Sequence, residues 1–179
     1  MIRFADLPIS LWRNGAGRKA DIAAGEDWLV GIAFLDQDAA FSDYAGHDRT
    51  ITLLDGAGFE LAIAGSGVLR VDRPYVPRQF DGGAPTACRL LAGPCRVLNA
   101  MTARATGRHA VRVLTGAELP LAEPAAGAMS WLVLLRGHAT IADGSRALTM
   151  APFDALRRDT SPRVTADPAA VFAEVTVLS

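Results

Sequence analysis

The sequence predicts an all-β fold. Three observations lead there: short apolar runs alternate with a period of two, turn residues recur every few positions between them, and no stretch keeps a period of 3.6. The 17 glycines and 10 prolines supply the turns. Such short, evenly punctuated runs are written by sandwiches and small barrels.

The elements follow in order. A short helix is expected at 6–11. WLVGIAFL (28–35) places Trp28, Val30, Ile32 and Phe34 on one face. RTITLL (49–54) places Arg49 on the face of Ile51 and Leu53. GFELAI (58–63), VLRV (68–71), CRLLAG (88–93), RVLNAM (96–101) and HAVRVL (109–114) continue the pattern. SWLVLL (130–135), HATIA (138–142), RALTM (146–150) and VFAEVTV (171–177) follow a break. The break is GAELPLAEPAAGA (116–128), whose Ala, Pro and Gly content reads as a linker.

The halves on either side of it repeat. LLDGAGFELAI (53–63) overlays LLRGHATIADG (134–144), with Gly56 over Gly137. Each half then runs into a proline-containing turn, at 76–83 and 151–159. Two related jelly-roll barrels are expected, the first at about 28–115 and the second at about 129–179. The second is short, so an N-terminal strand is expected to complete it and make residues 1–179 one unit.

Composition narrows the function. Half the residues are apolar, and the net charge of −1 offers no field for nucleic acid. No apolar run is long enough for a membrane helix, and MIRFADLPIS lacks the features of a secretion signal. A cytoplasmic location is expected, and Cys88 and Cys95 read as ordinary thiols. The three histidines, His47, His109 and His138, lack metal-ligand spacing, so neither metal nor other cofactor is expected. No nucleophile elbow or phosphate loop is present.

What stands out is polar residues where a β-core prefers none. Arg49 opens an apolar strand on its inward face, where its charge requires an anion. Asn99 lies between Val97 and Met101 on one face. Asn14 and Gly15 lie in the glycine-rich WRNGAGRKADIA (12–23), whose Trp12 could act as a lid. The local alternative is that Arg49 pairs with Asp43 or Asp48, Asn99 caps a strand end and Trp12 packs.

These stretches resemble the HutD/Ves family, small bacterial proteins assigned to the bicupin fold. The resemblance rests on WRNGAGRKADIA (12–23), WLVGIA (28–33), FSDYAGHDRTITLLDG (41–56), PRQFDGG (77–83) and LNAM (98–101), in the family's order and spacing. The sequence departs from the family pattern at Ala16, Lys19, Ala20, Asp21, Leu29, Gly31, His47 and Gly83.

The resemblance implies two cupin barrels packed as one unit. It also implies a metal-free pocket formed by Trp12, Asn14, Gly15, Asp21, Phe41, Ser42, Asp48, Arg49, Asn99 and Met101. Family members are associated with histidine utilisation. They are proposed to sense a small anionic metabolite of the urocanate or formylglutamate class without catalysis. Arg49 is expected to hold the ligand's carboxylate or, when empty, Asp21 or Asp48. The alternative is a metal-independent isomerase or hydrolase of a small organic acid, with His47 or Asp48 as acid and base. A homodimer is plausible from the apolar edges that facing barrels leave.

Overall fold

The computed structural model describes residues 1–119, 121–143, 146–158 and 163–178. Pro120 of the Ala/Pro/Gly segment, and Gly144 and Asp159 at the ends of two patterned stretches, lie outside the described residues. The chain forms two compact units: residues 8–107, and residues 108–179 together with Met1–Leu7.

The first unit holds β1 (Ile9–Leu11), β2 (Arg18–Ala24), β3 (Trp28–Leu35), β4 (Ala39–Ala40), β5 (His47–Asp55), β6 (Phe59–Ile63), β7 (Gly67–Val71), β8 (Arg78–Asp81), β9 (Thr86–Leu90) and β10 (Cys95–Ala103). They form a six-stranded sheet, β1-β2-β3-β10-β5-β8, and a four-stranded sheet, β4-β9-β6-β7. Ile51, Leu53 and Val97 from the first sheet pack with Phe59, Leu61 and Cys88 from the second. The period-two pattern produces this core, since alternate side chains of every strand point between the sheets.

The second unit holds β11 (Arg108–Thr115), β12 (Ala128–Arg136), β13 (Ala139–Asp143), β14 (Arg146–Met150), β15 (Ala155–Arg157), β16 (Arg163–Ala166) and β17 (Val171–Leu178). Its sheets run β11-β17-β12-β15 and β14-β13-β16. Leu114, Leu132, Leu134, Ile141, Met150 and Phe172 form its core.

The repeat is visible in the pairing. The order β3-β10-β5-β8 recurs as β11-β17-β12-β15, and β9-β6-β7 recurs as β16-β13-β14. Gly56 and Gly137 follow corresponding strands with φ of 97° and 92°. A Cβ at Gly56 would lie 2.6 Å from the Pro94 carbonyl, so the turn admits no larger residue without rearrangement. The first unit adds the β1–β2 hairpin and β4, which have no counterpart among the described residues of the second.

Three expectations change. The helix expected at 6–11 is instead a 3₁₀ turn, Phe4–Asp6, followed by β1. Pro8 holds Leu7 extended, at φ −74° and ψ 134°, which stops the turn. HAVRVL was expected in the first barrel, but β11 pairs along its whole length with β17 and lies in the second unit. The segment 116–128 opens with a 3₁₀ turn, Gly116–Glu118, in which the Thr115 amide donates to Glu118 at 2.6 Å. Leu119 and Leu121 of that segment pack on the second core, which a free linker would not do. Among the described residues no helix is long and apolar enough to cross a membrane.

Candidate functional site

The inner face of the six-stranded sheet carries a narrow, partly open cavity in the first unit. Strand alternation brings Lys19 and Asp21 from β2, Leu29 and Gly31 from β3, Asn99 and Met101 from β10, and Arg49 and Ile51 from β5 to its wall. Trp12, Phe41, Ser42 and Tyr44 complete its lining. Asp21, Gly31, Asn99 and Ile51 form one row in register across four strands. The β2 register slips between Asp21 and Ala23, a bulge of the kind that re-aims a side chain. The cavity volume is about 30 Å³. One water needs roughly 10–15 Å³, so the narrow chamber admits a group of carboxylate size.

Arg49 dominates the chemistry. It is 7% exposed, and its Nη2 donates to Asn99 Oδ1 at 3.2 Å. Its Nε is buried with no hydrogen-bond partner. Among the described residues no carboxylate lies within ion-pairing distance of it. The guanidinium instead lies over the rings of Phe41 and Phe80, both at 5.0 Å, and Tyr44 at 5.6 Å. Gly82 makes room for its stem, since a Cβ there would sit 3.0 Å from Arg49 Cδ. Burial pushes the Arg49 pKa down from 12.5 to about 10, with the nearby Tyr44 opposing. That displacement corresponds to about 3 kcal/mol of unfavourable charge burial, present wherever the group is charged.

The partners expected for Arg49 are engaged elsewhere. Asp21 Oδ2 accepts from Lys19 Nζ at 2.5 Å, and Asp21 Oδ1 is buried without a partner. Asp48 neighbours Arg49 in sequence, so the pleat sends it to the other side of the sheet. There Arg104 Nε donates to it at 2.6 Å. With Lys19, Asp21 and Arg49 charged, the cavity wall keeps one net positive charge.

Seven of the sequence-predicted residues line the cavity: Trp12, Asp21, Phe41, Ser42, Arg49, Asn99 and Met101. Asn14, Gly15 and Asp48 do not. Asn14 pins the β1–β2 hairpin instead. Its Nδ2 donates to the Ala40 carbonyl at 2.9 Å, its Oδ1 accepts from the Ala16 amide, and its own amide donates to Ser42 Oγ. Gly15 takes the tip of that hairpin at φ 73°. Trp12 Nε1 donates to the Arg18 carbonyl at 2.8 Å, and its ring meets Phe41 edge-on at 5.4 Å. His47 lies outside, with Nδ1 donating to the Ala45 carbonyl and the ring against Tyr44.

Sequence reasoning did not place Lys19, Leu29, Gly31 or Tyr44 at the site. Lys19 could have been found, because it shares the period of Asp21. Tyr44 lies on a loop, where no period points. At Gly31 an added Cβ would sit 2.8 Å from the Ala20 carbonyl and 3.2 Å from Asp21 Oδ1, so this residue sets how closely β2 and β3 approach.

Cys88 and Cys95 are buried, and burial pushes the Cys88 thiol up to about 12, far from thiolate chemistry. Among the described residues no three His, Cys, Asp or Glu side chains converge as metal ligands.

Comparison with known proteins places this geometry. An uncharacterised protein of the hutC 3′ region of Pseudomonas putida is 32% identical over 109 residues, 55% of each chain. Protein Ves of Cronobacter sakazakii is 34% identical over 114 residues, 60% of this chain and 62% of the other. The match thus spans little more than half the length of these relatives. A conserved protein of unknown function from Pseudomonas aeruginosa has a TM-score of 0.78 at 25% identity, covering 99% of this chain and 97% of its own. HutD from Pseudomonas fluorescens has a TM-score of 0.76 at 20% identity, covering 99% and 96%. A cupin 2 conserved barrel domain protein from Leptotrichia buccalis shares the fold at 0.60 and 10% identity, covering 99% and 94%. The architecture is therefore a cupin fold. Since the HutD family profile matches residues 4–173, nearly the whole chain, the protein belongs to the HutD family.

Proposed function

We propose that the protein binds a small carboxylate metabolite in the Arg49 cavity and acts, without catalysis, as a regulatory component of histidine utilisation in the cytoplasm. The observation that carries this reading is the buried Arg49 guanidinium, whose Nε has no hydrogen-bond partner, at the wall of a narrow chamber. A buried cation without a counter-ion is costly, and an anion that neutralises it recovers that cost as binding energy.

The internal repeat supports the reading. Asn99 pairs with Ile51 and Gly31, and Glu174 holds the corresponding place, between Leu132 and Arg112. In the second unit the buried Arg158 donates to the Glu174 carboxylate, and Arg112 adds a second contact. Its guanidinium is thus neutralised by the chain itself. In the first unit the same place is held by a neutral amide, and the charge of Arg49 is left for an outside anion. The pathway link rests on family membership and on the hutC-region relative. Asp48 faces away from the cavity and His47 lies outside it, so the acid–base alternative draws no support from the geometry.

The test is calorimetry and thermal shift with formate, acetate, urocanate and formylglutamate. A ligand at a hundredfold excess over its Kd adds about 2.7 kcal/mol, or roughly 5–10 °C for a chain of this size. Arg49→Met should abolish the shift while the far-ultraviolet spectrum stays unchanged. Equal binding by the variant would refute the site.

A further inference from the structure

The Arg49 chamber has a neighbour. A second cavity, about 130 Å³, lies beside it and shares Leu29, Tyr44 and Met101 with it. Trp28 and Ala24 supply further apolar wall, and Glu26 and His47 supply the polar groups. The inner chamber holds little more than a carboxylate. Any larger ligand anchored on Arg49 must therefore place its remainder elsewhere, and the shared wall is where it can pass. That wall is built of movable side chains. Tyr44 is fixed through its backbone, whose amide donates to the Gly82 carbonyl at 2.9 Å and whose carbonyl accepts from His47. Its ring makes ring contacts to His47 at 5.8 Å, to the Arg49 guanidinium at 5.6 Å and to the Arg13 guanidinium at 5.9 Å.

The outer chamber also selects by charge. Because a carbonyl can only accept, His47 Nδ1 donates to Ala45 and its ring is turned accordingly. The Glu26 side chain brings acceptor oxygens to the same wall. The Glu26 carboxylate therefore disfavours a second anion in this chamber, while Trp28, Leu29, Tyr44 and Met101 suit a flat apolar body.

We infer that the two cavities form one site for an elongated monocarboxylate, with its carboxylate on Arg49, an uncharged flat tail passing Tyr44, and a second carboxylate excluded by Glu26. The inference rests on the anion-binding reading above and adds which anions are chosen.

Calorimetry on the full chain with acetate, cinnamate and glutarate tests it. Cinnamate should bind at least tenfold more tightly than acetate, and glutarate no more tightly than acetate. Ala24→Phe, which fills the outer chamber from an exposed position, should erase the advantage of cinnamate and leave acetate unchanged. Glu26→Gln should strengthen glutarate several-fold at low salt, with no change for acetate. If acetate binds and cinnamate gains nothing, or if glutarate rivals cinnamate, the two-chamber site is wrong and the Arg49 pocket stands. If no acid binds, acetate included, both are wrong.

Discussion

Arg49 and Asn99 carry the site at the scale of single residues. Their hydrogen bond leaves a full positive charge in an apolar chamber, where Glu174 and Arg158 cancel theirs. Asn99→Asp should therefore give the first unit the self-neutralised arrangement of the second. Acetate affinity is expected to fall by at least tenfold while the melting temperature of the unliganded protein rises, a combination that unfolding cannot mimic. The pH dependence follows from the direction of the Arg49 shift. The burial penalty of the cation is present at all pH values below about 10, so the protein is primed for an anion throughout the neutral range. Carboxylate affinity should be flat from about pH 6 to 9 and fall only as the ligand itself protonates, near ~4–5. A site resting on imidazole would show an inflection near ~6.5 in the same titration.

Much of this was legible in the sequence. Period-two reading put Arg49 inward with Ile51 and Leu53, and Asn99 inward with Val97 and Met101. The same reading excludes Asp48, one residue from Arg49, so motif resemblance misled where the pleat did not. β2 was not read as a strand, and the reason is physical. Lys19 and Asp21 line the cavity and alternate with the buried Ala20 and Ile22, but two apolar positions, one of them small, after a glycine-rich run give a weak strand signal.

At the scale of elements, the β1–β2 hairpin distinguishes the unit with the Arg49 cavity from its repeat. It extends the sheet past β3, brings Lys19 and Asp21 to the cavity, and lays Trp12 over it. Gly17 is the position on which this depends, because a Cβ there would lie 2.5 Å from the Trp12 indole. Gly17→Ala should displace the indole, shift tryptophan emission to longer wavelength and weaken acetate binding by about tenfold. Gly15→Ala is the matched control. It meets nothing within 4 Å, so its left-handed backbone should cost stability, about 1 kcal/mol, with Trp12 left in place. Equal effects on emission from the two variants would show that hairpin strain, not the indole, closes the chamber.

For the whole molecule, the division into units does not follow the order of the chain. Met1–Leu7 belongs with residues 108–179, on the far side in sequence of the unit formed by 8–107. Its anchor is Asp154, 2% exposed, which accepts from Arg3 Nη1 at 2.8 Å, the Phe4 amide at 2.9 Å and the Ala151 amide at 3.0 Å. Phe4 meets Phe153 edge-on, and Ile2 bridges to Ala155. Asp154→Ala should cost about 2–3 kcal/mol through the donors it strands. Hydrogen exchange should accelerate at the Ile2 and Phe4 amides, and acetate affinity at Arg49 should not change.

This tether sets an order on assembly during translation. The strands of the first unit are all synthesised once Ala103 has left the ribosome, so the Arg49 chamber has every residue it needs while β11–β17 are still being made. Residues 1–7 are made before any of these strands, yet Asp154 and Ala155, which fix them, come some 150 positions later. Until then the groups that fix this segment do not yet exist.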